Sequence, residues 1–117
     1  MPDKKELFVT RLLQQTSAGK VKWEPTMEER VFQASFPSYS VKIWTEEAFD
    51  IETAYVIGIF NDSGTQIERM DNRELKEAGL VHAWTVMRDL HQLARRQALG
   101  VEQALDSLLD SLDDDDD

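Results

Sequence analysis

The feature that most constrains this sequence is residues 54–60, Ala-Tyr-Val-Ile-Gly-Ile-Phe, which are apolar on both faces of an extended chain. Because the side chains of a strand alternate between two faces, such a run predicts a strand that is covered on both sides. We predict that it is the central strand of a sheet. One layer of helices covers one face, so we expect the other to meet the last helix or a partner subunit. The side chains predicted on that other face are Ala54, Val56, Phe60 and Trp44.

The neighbouring segments predict an antiparallel meander. Residues 61–64, Asn-Asp-Ser-Gly, have the composition of a tight turn and predict a hairpin that returns as a strand over 65–70. Upstream segments with alternating apolar residues predict three more strands, over 20–23, 31–36 and 39–44. The acid-rich residues 45–53 are expected to form a connecting loop.

The N-terminal segment predicts a helix over residues 4–18. Asp3 and Glu6 have the spacing of a capping box, and Gly19 follows the last residue of the apolar stripe. We expect the apolar face of this helix to lie on the sheet.

Two further helices are predicted after the strands. Asp71 and Glu74 repeat the capping-box spacing, and a wide apolar stripe then predicts one long helix over 72–99. A short helix follows over 101–112, with leucines on one face and acids on the other. These elements predict one α+β domain over residues 1–112, with an N-terminal helix, a five-stranded meander sheet, a long helix and a short C-terminal helix. The five aspartates at 113–117 are expected to form a disordered tail.

Charge and composition exclude several classes of function. The 117 residues carry a formal net charge of −10, and half of it lies in residues 113–117. Nucleic-acid binding is not expected, because phosphate contacts need a basic surface. Zero cysteines exclude disulfides and thiolate chemistry and fit the reducing cytoplasm. No apolar run is long enough to span a membrane and no export signal is seen, so we expect a cytoplasmic protein without a membrane anchor.

Candidate catalytic or metal-binding patterns are weak. His82 and His91 are nine residues apart on the predicted long helix, which points them in opposite directions and prevents them from sharing a metal ion. Residues 17–20, Ser-Ala-Gly-Lys, do not complete a phosphate-binding loop, because Gln14 and Val21 stand where the motif needs a glycine and a hydroxyl residue. The acids of residues 45–53 are interpreted as solvated loop residues. We therefore predict no catalytic site, no metal and no cofactor.

Two segments have the composition of partner-binding surfaces. Trp84, Arg88, His91 and Arg95 recur at helical spacing and form one stripe, in which Trp84 and Arg88 can make a cation–π contact. Ordinary packing of a tryptophan beneath arginine stems is the favoured interpretation of this stripe, and partner binding is the alternative.

The second segment is the last helix. Its apolar positions contain an LxxLL pattern, which is typical of helices that dock in grooves. A helix of about three turns is marginal alone in water, so we expect it to dock within the chain. Docking in a groove of another protein and pairing with a second copy are the alternatives. The leucines concerned are Leu105, Leu108, Leu109 and Leu112.

The predicted function is a non-enzymatic protein–protein interaction module, an adaptor or inhibitor, with a homodimer as the expected state. In size, acidity and helix-plus-sheet form, the chain resembles the small dimeric bacterial secretion chaperones, which implies binding of a partner polypeptide. A second alternative is a ligand-binding or enzymatic domain with a pocket between sheet and long helix, where His91, Arg88 and Glu47 are the candidates. A third is mimicry of nucleic acid through the aspartate tail.

Overall fold

A computed structural model describes residues 4–47 and 53–113 of the chain. Its five strands form one antiparallel sheet in the order β1-β2-β3-β4-β5, which confirms the predicted α+β fold with a meander sheet. The elements in chain order are α1 (Lys4–Ser17), β1 (Trp23–Pro25), β2 (Phe32–Ser35), β3 (Tyr39–Glu47), β4 (Thr53–Asn61), β5 (Gln66–Asp71), α2 (Asn72–Glu77), α3 (Ala83–Ala98) and α4 (Val101–Asp113). Asp3 and the aspartates at 114–117 lie outside the described residues, so the first capping box and most of the predicted tail are not tested.

The hairpin between β4 and β5 forms as predicted. The Asn61 side chain accepts hydrogen bonds from the backbone N–H groups of Ser63 and Thr65, each at 3.0 Å. Gly64 adopts a φ of 82°, which favours glycine. The local chemistry of this turn thus sets the register of the two strands.

The sheet order corrects the prediction that residues 54–60 form the central strand. β3 is the third of five strands, and β4 lies between β3 and β5. β3 also continues to Glu47, so Glu46 and Glu47 belong to a strand and not to the predicted loop. β1 runs to Pro25, which pairs with Phe32 at the sheet edge, where a missing N–H group is tolerated.

The predicted helix over 72–99 is wrong, because the chain forms two helices there. α2 ends in a Schellman motif, in which the N–H of Leu80 donates to the carbonyl of Leu75 and that of Gly79 donates to Lys76. Gly79 has a φ of 120°, which ends the helix. Asp71 does cap α2, since its carboxylate accepts from the N–H of Glu74 at 2.9 Å.

One core lies between the inner face of the sheet and helices α1 and α3. α1 packs mainly along α3, which refines the expectation that it lies on the sheet. The buried side chains come from the sheet and from helices α1, α2 and α3, and they form a single cluster. The largest are Ile43, Ile57, Met70, Leu75, Met87, Leu90 and Val9, whereas Val56 is fully buried on the other face of the sheet. α4 contributes no buried residue to this core.

Candidate partner-binding surface

The outer face of the sheet is covered at its centre by aromatic side chains of the same face. Trp44 on β3 lies diagonally across from Gly58 on β4, whose direct partner is Lys42. A Cβ atom at Gly58 would lie 2.8 Å from Cη2 of Trp44 and 3.0 Å from Cε1 of Phe60. The absence of a side chain at Gly58 is therefore what lets the indole lie flat against the strand.

An ion network holds the indole in this position. Nε1 of Trp44 donates to Oε2 of Glu46 at 3.0 Å, and Nη2 of Arg69 on β5 reaches Oε1 of the same carboxylate at 2.6 Å. Arg69 also pairs with Asp71 at 3.4 Å and with Glu74 at 3.6 Å. The hydrogen bond from Trp44, together with the hydrogen bond and the charge of Arg69, lowers the pKa of Glu46 against the opposing effect of burial. β3 and β5 are thus tied together across β4.

The expectation that this face needs a helix or a partner subunit is wrong at the centre of the sheet. Val56 is fully buried although α4 has no buried residue, since Trp44, Phe60 and the Arg69 network supply the cover. Trp44 and Phe60 remain half-buried and border an open depression of about 800 Å³, with the ammonium group of Lys42 4.8 Å from the Phe60 ring centre. Their role in partner binding stays a prediction.

The Trp84 end of the predicted stripe packs on β4. The Trp84 ring meets the Tyr55 ring edge-on at 5.9 Å, and its Nε1 lies 3.4 Å from the carbonyl oxygen of Thr53. The guanidinium of Arg88 lies 5.1 Å from the centre of the Trp84 ring, which confirms the predicted cation–π contact. Arg88 also pairs with Asp89 at 3.1 Å. Packing within the chain therefore engages this end of the stripe, although Trp84 keeps 41% of its surface exposed.

His91 lies deeper, between two aromatic rings. Its imidazole lies 5.7 Å from the Phe32 ring and 5.6 Å from the Tyr55 ring, and its Nε2 is buried without a hydrogen-bond partner. Burial lowers the pKa of His91, an effect that a hydrogen bond with the Arg30 backbone opposes and the charge of Arg95 reinforces. The imidazole thus packs between two rings, and its buried Nε2 is not accessible to a ligand.

A depression of about 620 Å³ opens beside His91 and Arg95, between the β1–β2 loop and the end of α3. Among the described residues, neither Arg88 nor Glu47 lines it, so the three candidates for a catalytic pocket do not converge there. Met27 and Leu99 also line it, and both are exposed. Met27 was missed by sequence reasoning, because a single apolar residue in a polar loop has no periodicity to mark it.

α4 presents its leucines to solvent. The exposed fractions are 44% for Leu105, 57% for Leu108, 57% for Leu109 and 66% for Leu112. None of the 13 residues of α4 is buried. The expectation that this helix docks within the chain is therefore wrong for its leucine face, since none of the four leucines is buried.

The junction with α3 sets the direction of α4. Gly100 follows the α3 cap with a φ of 65°, and its carbonyl accepts from the N–H of Ala104 at 3.0 Å. Arg96 on α3 pairs with Glu102 in the first turn of α4. The described chain measures 61 × 34 × 28 Å, and its radius of gyration of 16.4 Å exceeds the roughly 13 Å expected of a compact chain of this length. A helix that projects from the body accounts for the long dimension.

Known proteins give no further guidance. No protein-family model, curated protein or solved structure matches the chain significantly. Over the described ranges 4–47 and 53–113, no group of three or more His, Asp or Glu side chains is placed to hold a metal ion, and no helix has the length and hydropathy to cross a membrane. Among the described helices and strands, α4 has the most exposed large hydrophobic residues, with four leucines.

Proposed function

We propose that this protein is a non-enzymatic interaction module that binds another protein through the leucine face of α4, defined as Leu105, Leu108, Leu109 and Leu112. The observation that carries the proposal is that a 13-residue amphipathic helix has four exposed leucines and no buried residue. Contiguous exposed apolar surface of this kind is typical of protein interaction sites. We extend the proposal to the cytosol, a setting that a chain without cysteine fits.

The other candidate surfaces differ from the leucine face because their side chains also make contacts within the chain. Trp44 covers Gly58 on the outer sheet face, and Trp84 packs against Tyr55. Truncating either side chain would remove contacts within the chain as well as any contact with a partner. The leucine face has no such second role, since its contacts with the body are few and none of its side chains is buried.

The test replaces two of the four leucines of the face. The variant Leu105→Ser/Leu108→Ser should lose at least about tenfold in affinity for the partner, which corresponds to about 1.4 kcal/mol. Capture from a lysate of the source organism, with identification of the bound proteins by mass spectrometry, finds the partner, and calorimetric titration with the purified partner gives the affinity.

A matched control uses serines that face away from the leucines. Ser107→Ala/Ser111→Ala changes the same helix without touching its apolar positions and should bind like the parent chain. The free energy of unfolding of both variants should stay within about 0.5 kcal/mol of the parent, because these positions are exposed. If the leucine variant captures the same proteins with the same affinity, the proposed function is wrong.

A further inference from the structure

We infer that the occupant of the leucine face is a basic amphipathic segment of another polypeptide, a proposal that rests on the function proposed above. The charge of the chain is divided unevenly around α4. All 13 Lys and Arg residues precede residue 97, whereas residues 97–117 contain eight acidic residues and no basic one. The C-terminal part thus carries −8 of the net −10, and the remaining 96 residues carry −2.

The acids of α4 occupy one edge of the leucine face. At about 100° per residue, the four leucines span an arc of about 100°, and Glu102, Asp106, Asp110 and Asp113 fill the next 80° or so beside Leu109. The opposite edge is small and uncharged, with Ala104, Ser107 and Ser111. A partner helix that lays an apolar stripe on the leucines therefore meets carboxylates along one side.

These carboxylates have no basic residue within α4 to offset their negative charge. Glu102 pairs with Arg96, but the last turn contains no basic residue, and Asp110 and Asp113 lie at the negative end of the helix dipole. Acids four residues apart also repel one another. Lysine or arginine side chains of a partner would relieve both effects, so binding of a basic segment should stabilise α4 itself.

The same charges disfavour a second copy of the chain and an anionic membrane as occupants of the leucine face. A second copy would bring another −8 against the first, with no cation in either segment to compensate. An anionic membrane surface attracts amphipathic helices with basic edges, which is the opposite of this pattern. Charge complementarity therefore selects a basic polypeptide.

The test uses three synthetic peptides of about 18 residues, long enough for about five helical turns. The first has leucines on one face and lysines along one edge, the second has glutamates in place of the lysines, and the third has the lysine composition in an order that destroys the apolar face. Fluorescence anisotropy with labelled peptide gives the dissociation constants, and light scattering of the free protein gives its oligomeric state.

The lysine peptide should bind the parent chain at least about tenfold more tightly than either control peptide, a difference of about 1.4 kcal/mol. The variant Asp106→Asn/Asp110→Asn keeps every leucine and should weaken this binding about three- to tenfold and flatten its dependence on salt. Leu105→Ser/Leu108→Ser should abolish it. This result would support both the surface and its charge preference.

Three outcomes would overturn the inference. These are equal affinity for the lysine and glutamate peptides, no binding of any peptide up to about 1 mM (about −4 kcal/mol), and a stable dimer of the free chain that Leu105→Ser/Leu108→Ser dissociates. If the leucine variant loses the natural partner while the peptides show no charge preference, the proposed function stands and this inference alone fails. If the leucine variant keeps its natural partner, the proposed function fails.

Discussion

Thr16 is a buried polar residue that provides the hydrogen-bond acceptor for the buried indole of Trp23. The indole Nε1 of Trp23 donates to Oγ1 of Thr16 at 3.1 Å, and both side chains are almost fully buried. Thr16→Val keeps the shape of the side chain but removes the acceptor, so we expect the free energy of unfolding to fall by about 1–3 kcal/mol. Urea denaturation followed by tryptophan fluorescence measures it.

Thr16→Ser is the matched control, since it keeps the hydroxyl acceptor. It should lie closer to the parent chain than the valine variant does. Equal stability of Thr16→Val and the parent would mean that the buried indole N–H needs no partner at this site.

Gly58 matters because a side chain there collides with Trp44. We expect Gly58→Ala to lower the free energy of unfolding by about 1–3 kcal/mol, because the indole must move and the core beneath it repacks. In a Trp44→Leu background the same substitution should cost at least about 0.5 kcal/mol less, which a double-mutant cycle measures. An identical cost in both backgrounds would contradict the close contact with Trp44.

His91 predicts a loss of stability on mild acidification. Its pKa is lower in the folded chain than in the unfolded chain, so the unfolded state takes up the proton first as the pH falls below about 6.5. The free energy of unfolding should therefore be fully present near pH 7.5 and decline toward pH 5.5. Glu46 has a lowered pKa and stays ionised in this range, so its contribution remains constant.

His91→Gln should make the unfolding free energy less dependent on pH between 7.5 and 5.5, and His82→Gln serves as the control. Denaturant titrations at four pH values in this range give the slopes. The assignment to His91 would be contradicted if His82→Gln removed the pH dependence of the unfolding free energy and His91→Gln left it in place.

At the scale of elements, the turns and helix ends that depend on residues close in sequence could be predicted. Asn61 and Gly64 set the β4–β5 turn, and Gly19 and Asp71 mark a helix end and a helix start, as the sequence indicated. The α2–α3 break was missed although Gly79 stood in the pattern, because the apolar stripe continues in phase on both sides of it.

Burial that depends on neighbouring strands could not be predicted in the same way. Residues 54–60 are apolar on both faces, and this suggested the central strand. In the structure the outer cover comes from Trp44 on β3, together with Arg69 on β5. Such diagonal contacts depend on register, which a single sequence does not specify beyond the hairpin. The candidate site on α4 was predictable as a pattern, whereas the full exposure of its leucine face in the folded chain was not.

α4 is expected to be the least protected helix of the free chain. It is 13 residues long, has no buried residue and carries acids at its C-terminal end, so tertiary packing adds little to its stability. Hydrogen exchange should be at least about 100-fold faster for its amides than for those of α3, whose Met87, Leu90 and Ala94 are buried. Equal protection of α3 and α4 in dilute solution would show that something covers α4.

At the scale of the whole molecule, an almost neutral body carries a strongly acidic projecting helix. The first 96 residues have a net charge of −2 and contain the whole buried core, whereas the remaining residues carry −8 and the leucine face. We therefore expect the body to fold without α4 and a partner to bind α4 without disturbing the core. Removal of the aspartates at 114–117 should weaken the binding of a basic partner. It should leave the free energy of unfolding of the body unchanged.

The chain contains no cysteine, so a single introduced thiol reports the accessibility of one position. The most direct test measures thiol labelling rates of Leu108→Cys, with Gln103→Cys on the opposite side of α4 as the exposed reference and Leu90→Cys as the buried one. In the free protein, Leu108→Cys should react within about threefold of the exposed reference, and the lysine peptide should slow it at least about tenfold while affecting Gln103→Cys less. If Leu108→Cys in the free protein reacts as slowly as Leu90→Cys, the leucine face is already covered and α4 is not a free docking surface.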